Sequence, residues 1–357
     1  MSKSYNDLKN FWKNKKVFVT GHTGFKGTWL TILLNLLGSK IYGYSLKPER
    51  ISLFNQTNSS KIVYKNFYNN ICDLKKIKKK LLIAKPQIIF HLAAQPLVID
   101  SFQYPLNTFN TNVIGTLNLL EAAKSVKSVK SIVIITTDKV YKIKKKNRNY
   151  IETDELGGKD PYSASKACAE ISVYSYIESF FKKNTSRIKV ATARSGNVIG
   201  GGDYSKNRLI PDIIRAFNQK TILEIRNPNH IRPWQHVIEP ICGYLMLAQK
   251  QYLNKLSKLD HAWNFGPKKT NFITVNQIIS QFKNFNMIER VKIKESKDIE
   301  TEILKLNSKK AIKHLNWKQK WNINLTLKKI IEWNNLAKQN NDFKKICEKQ
   351  ITEYFKK

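Results

Sequence analysis

Three short stretches hold residues whose types and spacing suit chemistry. In "TTDKVY" (136–141) an acid directly precedes a lysine, behind two threonines and just after the apolar run "SIVII". In "PYSASK" (161–166) Tyr162 stands four positions before Lys166. In "VTGHTGFKG" (19–27) Gly21, Gly24 and Gly27 follow an apolar run and open a helical pattern. A threonine, an acid, two lysines and a tyrosine brought to one strand end would form a set for moving protons. Taken alone, Tyr162 and Lys166 are helix neighbours of the kind that is more often structural. Glycines at 21, 24 and 27 allow a tight turn and let backbone N–H groups approach a pyrophosphate at a helix N-terminus, where the helix dipole favours negative charge. That spacing also describes an ordinary strand–helix turn. Its place after the first strand of a strand–helix–strand pattern selects the dinucleotide site.

The elements that must position these residues follow from the apolar patterning. "KVFVT" (16–20), "SKIYGYS" (39–45), "PQIIFHLAA" (86–94), "SIVIITT" (131–137) and "IKVATAR" (188–194) read as strands. Between them lie helical patterns, including "FKGTWLTILLNLLG" (25–38), "TFNTNVIGTLNLLEAAKSV" (108–126) and "DPYSASKACAEISVYSYIESFFKK" (160–183). Nearly continuous apolar strands alternating with helices indicate a parallel sheet covered on both faces. The expected fold is α/β, a doubly wound, mostly parallel, Rossmann-like sheet with a smaller C-terminal lobe. We place the dinucleotide-binding domain at 1–195. The smaller lobe is expected at 196–340, with helices at 209–219, 275–285 and 325–337 and some segments returning to the first domain. A basic C-terminal tail is expected at 341–357.

The bulk composition bounds the function without naming it. A chain of 357 residues with 41% hydrophobic content can bury a full core. No apolar run reaches the length of a membrane span, and the first residues lack the apolar segment of a secretory signal. Four scattered cysteines suggest free thiols in a cytoplasmic protein, and six histidines without ligand spacing predict no metal. The formal charge of +37 invites a nucleic-acid partner. Its lysines are spread along the whole chain among many Asn and Ile, as a general composition bias would leave them. A clustered polyanion surface is not what they describe, so neither nucleic acid nor membrane is expected as a partner.

The glycine loop with Tyr162-x-x-x-Lys166 resembles the short-chain dehydrogenase/reductase superfamily, in which that tyrosine and lysine are the catalytic pair. "HLAAQ" (91–95) and "NTNVIGT" (110–116) narrow the resemblance to the extended, nucleotide-sugar-modifying branch. "HTGFKGTWL", "TTDKVY", "RSGNVIGGGDYSKNRLIPD" (194–212), "RPWQHV" (232–237) and "AWNFGP" (262–267) narrow it to the CDP-glucose 4,6-dehydratases, over about residues 11–335. The resemblance implies an internal redox reaction with NAD, forming CDP-4-dehydro-6-deoxy-glucose and water for deoxysugars of surface polysaccharides. It implies Tyr162, Lys166, Thr137, Asp138 and Lys139 as catalytic residues. Tyr162 takes the 4-hydroxyl proton, Thr137 holds that hydroxyl, Asp138 is the acid and Lys139 the base. A phenol titrating near ~10 needs roughly 3 pH units of lowering for this task, and Lys166 and the positive nicotinamide are expected to supply it.

By the same resemblance the cofactor lies against Gly21, Thr23, Gly24, Phe25, Gly27, Asn70, Ile71, Leu92, Ala93, Ala94, Tyr162 and Lys166. The sugar nucleotide is expected at Gln95, Asn197, Arg208 and Arg232, with Arg232 suited to the diphosphate by its planar fork. A homodimer, or a dimer of dimers, is implied through helices around 104–124 and 161–182. The sequence departs from the family pattern where the adenosine ribose is held: Lys47 follows the second strand, and Asn70 replaces an acid. A lysine there suits a 2′-phosphate, yet NAD is the expected cofactor. The alternatives are a dehydratase for another nucleotide, a 4-epimerase, and a nucleic-acid-binding protein of the same fold. Asp138-Lys139 argues against an epimerase, and the intact Tyr162, Lys166 and Thr137 argue against a binding protein.

Overall fold

Seven parallel strands form the central sheet: β1 (Lys16–Thr20), β2 (Lys40–Ser45), β3 (Lys65–Tyr68), β4 (Ile88–His91), β5 (Ser131–Ile135), β6 (Lys189–Ser195) and β7 (Ala262–Phe265). The structure is a computed structural model describing residues 3–143, 148–182, 187–256, 261–268, 271–288, 290–294, 305–340 and 342–356. Strand order across the sheet is β3-β2-β1-β4-β5-β6-β7, and every neighbouring pair is parallel. This is a doubly wound sheet whose order reverses between β1 and β4, so ligands are expected at the C-terminal ends of those strands.

The strands are apolar at consecutive positions because both faces are covered. Val17, Val19, Ile88, Phe90, Val133 and Ile135 enter one core, whereas Phe18, Ile89, Ile132 and Ile134 enter the core on the opposite face. The period of two thus divides each strand between two helical layers. The helix Phe25–Leu36 is buried continuously from Gly27 to Leu34. An all-round apolar helix must be covered on its outer side as well.

That cover is the helix Phe343–Lys356, and it corrects the expectation of a basic tail at 341–357. Ile346, Cys347, Ile351, Tyr354 and Phe355 are buried in the same core as the helix 25–36. Lys344, Lys345 and Lys349 face outward and pair with Glu348, Asp342 and Glu332. The apolar stripe is at helical spacing, hidden in sequence by the lysines between its members. Residues 341 and 357 of that expected tail, and 183 of the expected helix 160–183, lie outside the described residues.

A third core lies apart from the sheet and joins Ile210, Ile213, Leu223, Ile278, Phe282, Leu327 and Ile330. It draws on the helices Leu209–Gln219, Val275–Asn284 and Ile323–Asn340. Between them in sequence, the helix Ile238–Tyr252 and strand β7 return to the sheet. Two helices read as continuous carry π-helical segments, Asn110–Ile114 and Ile177–Phe181.

Candidate active site

The first backbone feature of the site is the turn after β1. Gly21 has φ +70°, and a Cβ there would stand 2.6 Å from the Ala93 backbone nitrogen. At Gly27 a Cβ would stand 2.1 Å from the Gly21 carbonyl oxygen. Side chains are therefore excluded at both positions, and the turn lies directly against the chain leaving β4, at the point where the strand order reverses. Thr23 Oγ1 is 2.7 Å from Ser45 Oγ and donates to the Leu46 carbonyl, which ties the loop to the end of β2. Leu92, Ala93 and Ala94 follow β4, and Ala93 N–H donates to Thr20 Oγ1 at 3.2 Å. Phe25 is half-buried near Gly200. Asn70 is exposed, and its backbone oxygen accepts from the Tyr44 hydroxyl at 2.9 Å. Ile71 is buried against Gly115.

The residues expected to transfer protons meet beyond β5. Helix Pro161–Tyr176 begins with Asp160, whose carboxylate accepts from Ser163 N–H at 2.9 Å, and with proline at its first position. This start fixes Tyr162 in the first turn and Lys166 one turn later. The Lys166 amine donates to the Ile135 carbonyl at 3.3 Å, at the last residue of β5. Thr137 caps the short helical turn Asp138–Val140, accepting from Lys139 N–H at 3.3 Å. Its hydroxyl donates to Asp138 Oδ1 at 3.0 Å and acts on the nearby Tyr162 phenol. Asp138 is 1% exposed, and its Oδ2 has no hydrogen-bond partner among the described residues. Lys139 is half-buried and lines a cavity of about 460 Å³ with Lys142, Lys159, Asp160 and Ser163.

The electrostatics differ from the sequence expectation at Tyr162. Burial pushes its phenol up to about 12, opposed by the Thr137 hydrogen bond and the Arg208 charge. Lys166 is itself lowered to about 8 by burial, with Glu170 acting in the other direction. Its amine is engaged by a backbone carbonyl, so the lysine alone does not turn the phenol into a base. The sequence reading overlooked the cost of burying both groups together.

Of the residues expected at the sugar nucleotide, Arg208 is closest in influence, because its charge acts on both Tyr162 and Lys26. It is paired with Asp203 at 3.2 Å. Asn197 follows β6 and its carbonyl accepts from Gln235 N–H at 3.3 Å. Arg232 is buried on the strand Ile231–Pro233, with Nη2 3.1 Å from His230 Nδ1. The Gln95 amide donates to the Leu97 carbonyl and Thr108 Oγ1, and its oxygen accepts from Leu97 N–H. That side chain is occupied in shaping its own loop.

Several site residues went unnoticed in the sequence. Lys26 sends its amine to Ser195 Oγ at 3.2 Å and the Tyr244 hydroxyl at 3.5 Å, and burial lowers it to about 7. A charged residue within the glycine loop was the available signal. Asn112, turned inward in the π-helical segment, donates to the Gln95 carbonyl and to Ser165 Oγ. Glu170 and Arg194 form a buried ion pair at 2.9 Å. His91 and His236 are buried side chains of the packing: His91 lies between Thr20 and Thr116, and His236 between Trp29 and Trp321. Among the described residues no group of His, Cys, Asp and Glu is placed to hold a metal.

Residues 18–330 match the family model described as GDP-mannose 4,6-dehydratase. A CDP-glucose 4,6-dehydratase of Salmonella typhimurium is 40% identical over 97% of this chain and 98% of its own. A dTDP-D-glucose 4,6-dehydratase of Dictyostelium discoideum is 32% identical over 66% of this chain and 56% of its own. The crystal structure of a dTDP-glucose 4,6-dehydratase from Bacillus anthracis in complex with NAD superimposes with a TM-score of 0.76. That alignment has 21% identity and covers 93% of this chain and 99% of the other. A dTDP-glucose 4,6-dehydratase from Streptomyces venezuelae gives the same TM-score at 18% identity, covering 91% and 97%. The superpositions establish the shared fold.

Proposed function

This chain belongs to the GDP-mannose 4,6-dehydratase family, and on that premise we propose that it converts CDP-glucose to CDP-4-dehydro-6-deoxy-glucose and water. The observation that carries the reading is Asp138-Lys139 on the turn beyond β5, capped by Thr137 and beside the buried Tyr162. Water loss needs an acid and a base in addition to the oxidising residues, and an epimerase does not. The choice of CDP is supported by the near full-length similarity to the Salmonella protein.

The cradle formed by Gly21, Gly27 and Ala93 fits a dinucleotide, because the close backbone approach is kept free of side chains. Gly21, Thr23, Gly24, Phe25, Gly27, Leu92, Ala93 and Ala94 would hold NAD, with Asn70 and Ile71 towards its adenosine end. Bound NAD would accept the C4 hydride and return it to C6, and its positive ring would add the charge that draws the Tyr162 phenol down from about 12. Tyr162 takes the proton of the sugar 4-hydroxyl while Thr137 holds that hydroxyl in line. The 4-ketone then acidifies the proton at C5. Lys139 removes it, and Asp138 gives a proton to the departing 6-hydroxyl, which leaves as water. Lys139 then returns a proton to C5 as hydride reaches C6, and Tyr162 and Asp138 are reset by proton exchange with solvent. Gln95, Asn197, Arg208 and Arg232 are proposed to hold the sugar nucleotide, with Arg232 on its diphosphate.

We place the enzyme in the cytoplasm; among the described residues no helix is long and apolar enough to cross a membrane. A homodimer through the helices around 104–124 and 161–182 is supported by exposed apolar residues on both, including Leu106 (84%) and Ile171 (56%).

The test is direct. The protein is incubated with CDP-, dTDP-, UDP- and GDP-glucose, and 4-keto-6-deoxy product is measured. CDP-glucose is expected to give the highest kcat/KM without net consumption of added NAD. A better rate with another donor would remove the nucleotide assignment. A C4-epimerised product would make the protein an epimerase.

A further inference from the structure

The proton-transfer segment Thr137–Val140 is held from both ends by one buried ion pair. On the upstream side, Glu170 accepts from the Thr136 hydroxyl at 2.5 Å and from Thr192 Oγ1 on β6 at 2.6 Å. The same carboxylate receives Nε and Nη2 of Arg194, each at 2.9 Å. On the downstream side, Arg194 Nη1 donates to the Tyr141 hydroxyl at 2.8 Å and to the Glu152 carbonyl at 3.0 Å. Tyr141 in turn donates to Asn264 Oδ1 on β7 at 2.8 Å. The ring of Tyr141 is stacked on Tyr150 at 5.0 Å, with the Arg194 guanidinium 4.9 Å from its centre.

From this arrangement we infer that Glu170, Arg194 and Tyr141 are positioning residues, which clamp Thr137, Asp138 and Lys139 between Thr136 and Tyr141. The inference rests on the functional reading above, since it assigns the clamp a task in the dehydration step. Two features separate it from ordinary core packing. First, buried ion pairs are weak stabilisers, so their value has to be sought in specificity of geometry. Second, Glu170 and Lys166 lie one turn apart on one helix and reach consecutive residues of the strand end, Thr136 and Ile135. The helix that carries Tyr162 and the turn that carries Asp138-Lys139 are therefore registered against each other through two consecutive residues, by the Ile135 carbonyl and the Thr136 hydroxyl. The carboxylate also acts to keep the Lys166 amine protonated.

The clamp acts unequally on the two halves of the reaction. Thr137 and Asp138 are hydrogen-bonded to each other, whereas Lys139 has the weaker 3.3 Å bond of its N–H to Thr137 on one side and the anchor at Tyr141 on the other. Tyr141→Phe keeps the stacked ring and removes only the hydroxyl. It is expected to raise amide hydrogen exchange at residues 137–140 of the ligand-free protein by roughly tenfold, with little change elsewhere. With CDP-glucose, C5 proton loss should slow by about tenfold, the equivalent of one hydrogen bond, while the first oxidation and KM stay close to wild type.

Glu170→Gln should loosen both ends and move the alkaline limb of the pH–rate profile to lower pH, because Lys166 then loses its proton more readily. Should that variant fold poorly around an unpaired Arg194, the double variant Glu170→Met with Arg194→Met removes the buried charges together and serves instead. Unchanged exchange at 137–140 in Tyr141→Phe would overturn the inference. So would a rise spread evenly over the sheet with a matching fall in Tm, which describes packing alone. If the wild-type protein oxidises none of the four donors, the functional reading fails first and takes the catalytic purpose of the clamp with it.

Discussion

Tyr162 and Lys166 share one face of one helical turn, yet the structure gives them different surroundings. The phenol is buried beside Thr137, and the amine is bound by the carbonyl that ends β5. Their pairing was legible from sequence because i and i+4 fix the geometry; the burial that sets their protonation was not. Removing the amine of Lys139, by Lys139→Met, should spare the first oxidation but block proton loss from C5. Reduced nicotinamide should then accumulate on the enzyme, and near-wild-type turnover would place the base elsewhere. Tyr162→Phe should stop the reaction before any reduced nicotinamide forms, which absorbance in a single turnover separates from the Lys139 variant. Lys166 also carries a stability cost. Its folded value of about 8 lies below the ordinary 10.5, so the unfolded chain binds more protons between those values and stability rises with pH across that window. Lys166→Met should therefore stabilise the protein by about 3 kcal/mol at pH 7, less the lost contacts, with the gain fading between about pH 8 and 10.5. Denaturant unfolding followed against pH checks this. A gain that grows with rising pH would contradict it.

At the scale of elements, the strand ends were the readable part. Runs such as "SIVII" are apolar at every position because each strand feeds two cores, and glycine spacing marked the turn after β1. The buried clamp was unreadable, since Glu170 and Arg194 meet only after a helix and a strand have packed. The C-terminal helix escaped notice because its apolar stripe is diluted by lysine. Ile351 is fully buried on that helix, so Ile351→Ala should cost about 2–5 kcal/mol. Because this helix covers the one that opens with the glycine loop, NAD affinity measured by calorimetry should fall alongside Tm. Lost stability with unchanged affinity would show that the two helices act separately. Gly21→Ala should be worse than an ordinary surface change, as it combines φ +70° with a 2.6 Å approach to backbone. Its expected result is loss of NAD binding in protein that still folds.

Across the whole molecule, the sheet brings the ends of β1, β4, β5 and β6 to one edge, and every residue assigned to oxidation and dehydration lies there. The charge of +37 is distributed along the chain, and Lys139, Lys166, Arg208 and Arg232 are the part of it assigned to this edge. What the account requires is that one sugar be oxidised at C4 and reduced at C6 within a single site, with a C5 proton exchanged between. CDP-glucose carrying deuterium at C4 tests that requirement most directly. Incubated in ordinary water, it should give a product with the label at C6, while unlabelled substrate in heavy water should take up one deuterium at C5. Label returned to C4, or lost to solvent, would contradict the account.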